Sequence, residues 1–243
     1  MTAIVTVVRI LGLMQPLEFA AYDQMMLRLK PSEKQDERLL IVAVNDQDIL
    51  EQSKRNEPGA GTIKDPSLQK LIQKLQQYKP HVIGLDVLRD FSADKSTRLD
   101  QWLKLLTEHK VLIGICTSPD GTITGQGARY PVALSPDQVK SSVGFSNYSA
   151  SDSDINRIQL LLNPILEEKV CPTEQSFSFA IARHYLEAKG IPYQPPATQD
   201  NKYAGDLRLG ETTIKRRTGL TAGYQGDLSE PPSYQLLLNY RSW

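Results

Sequence analysis

His81-Val82-Ile83-Gly84-Leu85-Asp86-Val87 is an apolar run bounded by the turn residues Lys79-Pro80 and Arg89-Asp90. Short continuous apolar runs of this kind mark strands buried on both faces, the usual state in a parallel sheet. Upstream, Ser67 to Tyr78 places Leu68, Leu71, Ile72 and Leu75 on one helical face. Before that helix lies a second run, Leu39-Leu40-Ile41-Val42-Ala43-Val44, which ends in Asn45-Asp46-Gln47-Asp48. Downstream, Thr97 to His109 is helical with Leu99, Trp102, Leu103 and Leu106 inward, and Val111-Leu112-Ile113-Gly114-Ile115-Cys116 is the third run. Strand, helix, strand, helix, strand at this spacing requires right-handed crossovers and a parallel core sheet.

Further out the pattern loosens. Residues 117–142 read as a long loop, Val143 to Ser146 as a short strand and Ile158 to Leu162 as another. Phe177 to Ala188 is a helix stopped by Gly190 and Pro192. Residues 192–203 form a Pro-rich connection, Leu207 to Ile214 a hairpin around Gly210, and Tyr234 to Tyr240 a last strand. At the other end Thr6 to Leu29 is helical. Pro16 suits the first turn of a fresh helix, Glu18 favours its dipole and Pro31 ends it. The expected fold is α/β: a mixed, mainly parallel sheet flanked by helices, with a long N-terminal helix and a C-terminal β-hairpin.

The 243 residues carry 28 basic and 28 acidic side chains, 40% apolar residues and 23% charged ones. That is a globular composition, and the zero net charge argues against a nucleic-acid partner, which selects a basic excess. The apolar start, Met1 to Met14, is broken only by Arg9. It falls short of the roughly 20 residues of a membrane span and lacks a signal-peptide cleavage pattern. The text stops at Trp243 as a strand would, which suggests a fragment of a longer protein.

Chemistry-bearing residues are sparse. Asp46 and Asp86 both sit where strands of a parallel sheet end, the usual ligand position. Two carboxylates there suit Mg²⁺ or acid–base work, but capping and turn bonds explain them more simply: Asp46 as a cap of the helix that follows, Asp86 bonding a turn. Asp152-Ser153-Asp154-Ile155-Asn156 lacks the Gly and the final Glu of a calcium loop. The Gly59-Ala60-Gly61 and Gly125-Gln126-Gly127 pairs do not join a buried strand to a helix, so they read as turns. His81, His109 and His184 are scattered, with no zinc or nucleophile-elbow spacing. Cys116 and Cys171 form either one disulfide, worth about 3–4 kcal/mol on the chain-entropy model, or two buried thiols; the compartment decides. No catalytic residue, metal site or cofactor is assigned.

Several segments in order nevertheless resemble one family, the second type of CHASE domain (cyclase- and histidine-kinase-associated sensory extracellular). Leu17-Glu18-Phe19-Ala20-Ala21-Tyr22-Asp23, then Arg28-Leu29-Lys30-Pro31, is similar to its L-E-x-x-x-Y-D and R-x-R/K-P entry. Leu39 to Asp46 resembles its I-V-I-V-x-I-D-D strand, and Pro80 to Asp86 its P-x-x-I-G-x-D strand. Val143-Gly144-Phe145-Ser146-Asn147 with Asp152 to Arg157 resembles G-x-x-N and D-x-D-G-x-x-R, although the Gly of the latter is missing. Ser176 to Ala180 is similar to its S-F-x-x-x-L helix and Leu238-Asn239-Tyr240-Arg241 to its I-N-Y-R strand. The details are most similar to cyanobacterial members. The family continues beyond that strand, so the resemblance implies truncation at the C-terminal end.

The resemblance implies a non-enzymatic, extracytoplasmic sensory domain of a membrane-bound histidine kinase, nucleotide cyclase or protein kinase. Residues 1–30 are then a membrane-proximal helix and 31–243 a single sensory domain. Its partners are its own transmembrane helices, a cytoplasmic output domain, an unidentified small molecule and, as a homodimer, a second copy. Candidate ligand residues lie after the strands: Asn45, Asp46, Asp86, Arg89, Asn147 and Arg157, with Arg157 and Asp86 alternatively an internal ion pair. The rival readings are a structural or dimerisation module that positions membrane helices, and a Mg²⁺-dependent hydrolase built on Asp46 and Asp86.

Overall fold

The computed structural model describes residues 2–10, 13–29, 34, 36–95, 99–108, 111–117, 127, 129, 134–146, 158–162, 170–199, 202–216 and 234–238. The chain opens with α1 (Thr2–Ile10) and α2 (Gln15–Leu29). The single long helix expected there is thus two. Pro16 lacks the N–H that a helix interior needs and suits a first turn, so a fresh helix begins beside it, as its place in the sequence predicts.

The run Leu39 to Val44 forms no strand. It is a connector into α3 (Asp46–Lys54), with Leu40 and Ile41 76% and 78% exposed. An apolar run reports a tendency to be buried, whereas a strand exists only where a neighbour's ladder accepts it. The ladder of β1 (Ile83–Gly84) is made with β2 (Leu112–Cys116) instead. α4 (Asp65–Gln76) precedes β1, and α5 (Leu99–Glu108) lies between β1 and β2. Leu68 and Ile72 of α4, Leu99 and Leu103 of α5, Leu85 and Leu112 form one core cluster on that side of the sheet. These two helices bury the faces that their apolar spacing requires.

The expected long loop before residue 143 contains α6 (Pro136–Ser142), which leads into β3 (Val143–Phe145). Its start is a capping box that the sequence spells out: the Ser135 hydroxyl accepts the Gln138 N–H, and the Gln138 side chain accepts the Ser135 N–H at 2.9 Å. β3 lies parallel to β2, which gives the sheet order β1-β2-β3. β4 (Ile158–Leu162) pairs antiparallel with β10 (Tyr234–Leu237) in a separate ladder. α7 (Phe177–Ala188) follows, with Ser176 as N-cap.

The Pro-rich connection also holds structure: β5 (Tyr193–Gln194), then the hairpin of β6 (Ala197–Gln199) and β7 (Lys202–Ala204). β8 (Leu207–Leu209) and β9 (Thr212–Ile214) make the hairpin expected around Gly210, and β5 adds to β8. The proline-rich text hid these strands because they are short and at edges, where Pro is tolerated.

One short strap joins the layers. Cys171 is disulfide-bonded to Cys116 at the end of β2, with their Cα atoms 5.4 Å apart, and both are fully buried. Thr173 Oγ1 donates to the Val143 carbonyl at 2.8 Å, Gln175 accepts the Phe145 N–H at 2.9 Å, and Ser176 N–H donates to Leu161 at 2.8 Å. The strap therefore touches β2, β3 and β4 in succession. Arg183 and His184 of α7 add contacts to the carbonyl of Ser141 at the end of α6, at 3.0 and 2.9 Å.

α7 lies so close to β3 that a Cβ built on Gly144 would be 2.4 Å from the Phe177 Cα. Only backbone atoms are there to give way. Gly144→Ala is expected to cost about 3 kcal/mol or more, read as a lower urea midpoint with an unchanged slope. A second prediction concerns Tyr193, which packs edge-on to Phe179 at 5.6 Å. Burial pushes its phenol up to about 12. A raised folded value means stability complete below about pH 10 and lost as pH rises toward the folded value. Tyr193→Phe should flatten the loss of thermal stability between those two points.

Candidate functional site

The loop that leaves β1 carries Arg89 into the interior. Arg89 is 1% exposed and its Nη2 donates to Asp65 Oδ1 at 2.7 Å. Asp65 is the first residue of α4, is fully buried and is followed by Pro66. A carboxylate there meets the positive end of the helix dipole, and Pro66 gives up a backbone N–H that a first turn leaves unpaired anyway. The second carboxylate oxygen accepts the Asp94 N–H at 2.6 Å. The Arg89 guanidinium lies 4.6 Å from the centroid of the Phe91 ring, a cation–π arrangement.

The 57–64 loop covers this pair. Gly59 has φ +108°, and a Cβ on it would be 2.6 Å from Asp65 Cγ. Lys64 Nζ donates to the Gly59 carbonyl at 3.1 Å, and the Lys64 N–H donates to buried Gln52 Oε1 of α3 at 2.6 Å. At the loop's start Glu57 accepts from Ser67 and Arg55. Burial pushes the Glu57 carboxyl up, but these two hydrogen bonds together with the positive charges of Arg55 and Lys70 hold the group below the ordinary carboxylate value.

Asp65 is thus satisfied and Arg89 is not. Its Nε and Nη1 are buried with no partner among the described residues. Unmade hydrogen bonds of a buried group cost about 1–3 kcal/mol, and more when the group is charged. The cluster holds charge where water cannot reach it and keeps donor capacity unused.

Of the residues proposed from the sequence, Arg89 belongs to this cluster. Asn45 is exposed and its side chain is engaged as the N-cap of α3, accepting from Gln47 and Asp48 at 2.9 and 3.1 Å. The cap is therefore Asn45, with Asp48 completing the box, and Asp46 lies exposed in the first turn. Asp86 is exposed just after β1. Asn147, Arg157 and the Asp152–Asn156 segment lie outside the described residues. Among the described residues no group of three or more His, Cys, Asp or Glu is placed to hold a metal ion. Sequence reasoning singles out neither Asp65 nor Phe91 and takes Gly59 only as part of a turn. The available signal was Asp-Pro at a helix start, beside an Arg that follows a strand.

A second feature ties the two ends of the described chain. Tyr22 Oη of α2 donates to the carbonyl of Leu238, just beyond β10. On the same N-terminal helices Ile4, Val5, Val7, Leu17 and Met25 are exposed, as is Leu13 between them. No helix among the described residues is long and apolar enough to cross a membrane.

Breaking one side of the buried pair should be costly. Arg89→Met leaves Asp65 buried and unpaired and is expected to destabilise by about 3–5 kcal/mol. The double replacement with Asp65→Asn should recover much of that loss, a coupling measured by a double-mutant cycle in urea.

A family model described as the CHASE2 domain matches residues 1–242. No curated protein and no solved structure matches the chain. With the match spanning essentially its whole length, this chain belongs to the CHASE2 domain family, extracellular sensory domains of signalling proteins.

Proposed function

We propose that this chain is the extracytoplasmic signal-input domain of a membrane-bound protein whose output is a histidine kinase, a nucleotide cyclase or a protein kinase. Residues 1–30 are its membrane-proximal part and residues 31–243 its sensory domain. The family is sensory and not catalytic, so the hydrolase reading of Asp46 and Asp86 is not taken further. The observation that carries the proposal is the hydrogen bond from Tyr22 in α2 to Leu238 after β10. It links the helix that leads toward the membrane to the strand end. A change in the body that shifts β10 is felt by α2 directly. A ligand then acts by binding one of two conformations better, and it moves the equilibrium by no more than its differential affinity.

A structural role, in which the domain only holds membrane helices in register as a homodimer, draws on the exposed apolar side chains of α1 and α2. Output separates the two readings. In the full-length membrane protein, Tyr22→Phe removes one hydrogen bond worth about 1 kcal/mol, so basal output should move roughly fivefold. Output that stays unchanged in both Tyr22→Phe and Tyr22→Ala, with the protein still in the membrane, overturns the coupling and leaves the structural role.

A further inference from the structure

We infer that Arg89 is the receptor for a small oxyanion, a carboxylate or an inorganic phosphate-type ion, bound at the N-terminus of α4 under the 58–61 loop. Two independent observations carry this. The first is the helix terminus itself: α4 is a full helix, Asp65–Gln76, and its N-cap Lys64 makes no side-chain cap. Its positive end favours anions. The second is the guanidinium, nine-tenths and more buried, bonded by Nη2 to the first residue of that helix and with Nε and Nη1 unpartnered.

The local charge permits an anion. Arg89 and Lys64 are positive, Asp65 pairs with Arg89, and the neighbouring Asp100 carboxylate is taken up by the Ala93 N–H. Asp94 contributes its backbone N–H to Asp65, and Asp90 is exposed. The ligand chemistry follows from the donors. Arginine offers only N–H groups, so the ligand must accept. Nε and Nη1 between them hold several N–H bonds, which a polyatomic oxyanion with several oxygens meets better than a halide.

The two nitrogens are closed to solvent in this conformation. Gly59 lies directly over Asp65, and Gly59 and Gly61 both have positive φ. Entry of the anion therefore requires the 58–61 loop to lift, and the bound and free states differ in the position of that loop. The loop is continuous with Lys64 and, through it, with Gln52 of α3. This names the ligand class for the sensory role proposed above and rests on that reading for its meaning, although binding itself is measured without it.

The test uses the whole 243-residue chain with phosphate, sulfate, acetate and chloride at equal ionic strength. The expected result is a saturable rise in melting temperature with an oxyanion beyond that with chloride. Asp65→Asn, which removes the competing carboxylate, should tighten binding at least fivefold, and D65N/R89M should abolish it. On the wild-type chain, NMR should show one slowly exchanging arginine Nε–H resonance moving with the same saturation curve, which needs no variant to fold. Phosphate, sulfate and acetate acting no differently from chloride, or a response that survives in D65N/R89M, overturns the assignment. So does a titration in which no arginine Nε–H moves. None of these outcomes bears on the Tyr22 output measurement, so the two proposals fail separately.

Discussion

The strap from Cys171 to Ser176 is the constraint on which the arrangement of layers depends. The parallel sheet β1-β2-β3 and the antiparallel pair β4–β10 are separate ladders. What connects them is a few residues that bond covalently to β2, donate and accept at β3, and donate to β4 before turning into α7. Because the strap ends at the N-cap of α7, the helix is fixed against the sheet at its first turn. The close approach of Gly144 to Phe177 is the cost of that geometry. A larger residue at 144 would lift the helix from both ladders at once. The disulfide then does more than shorten the unfolded chain: it sets where the strap begins, and each hydrogen bond after it inherits that position.

How much of this was written in the sequence varies by element for physical reasons. The helices α4, α5 and α7 were legible because a buried apolar face with helical spacing leaves few alternatives. β2, β3 and β4 were legible as apolar runs. The segment Leu39 to Val44 has the same character and lies exposed, since composition records what a residue prefers and not which ladder has room. The reverse happened at α6. Its capping box at Ser135 and Gln138 was in plain view, but residues 117–142 are otherwise polar and Gly-bearing, and the local signal was outvoted. Short edge strands such as β5, β6 and β7 carry too few residues for period-two alternation to register.

The candidate site was legible by half. Arg89 follows a strand of a parallel sheet, the position where ligands gather in such folds. Its partner was not legible, because an ion pair is chosen in three dimensions: Asp65 lies 24 residues away at the start of another element. Asp86, a candidate by the same logic, lies exposed just after β1. Six short motifs in order identified the family although no one of them is specific, because their order is the information. The functional residues of a sensory domain need not be the ones that define its fold.

The bond between Tyr22 and Leu238 spans a sequence separation of 216. It has a consequence for biogenesis. Contacts of such high order form late, since most of the polymer must be present before the loop can close. β4 likewise waits for β10. As the chain is synthesised from its first residue, α2 therefore emerges long before the carbonyl that Tyr22 meets. Local helices α4 and α5 can assemble meanwhile on β1 and β2. The clasp between the two ends thus requires that the whole segment between them has already been made.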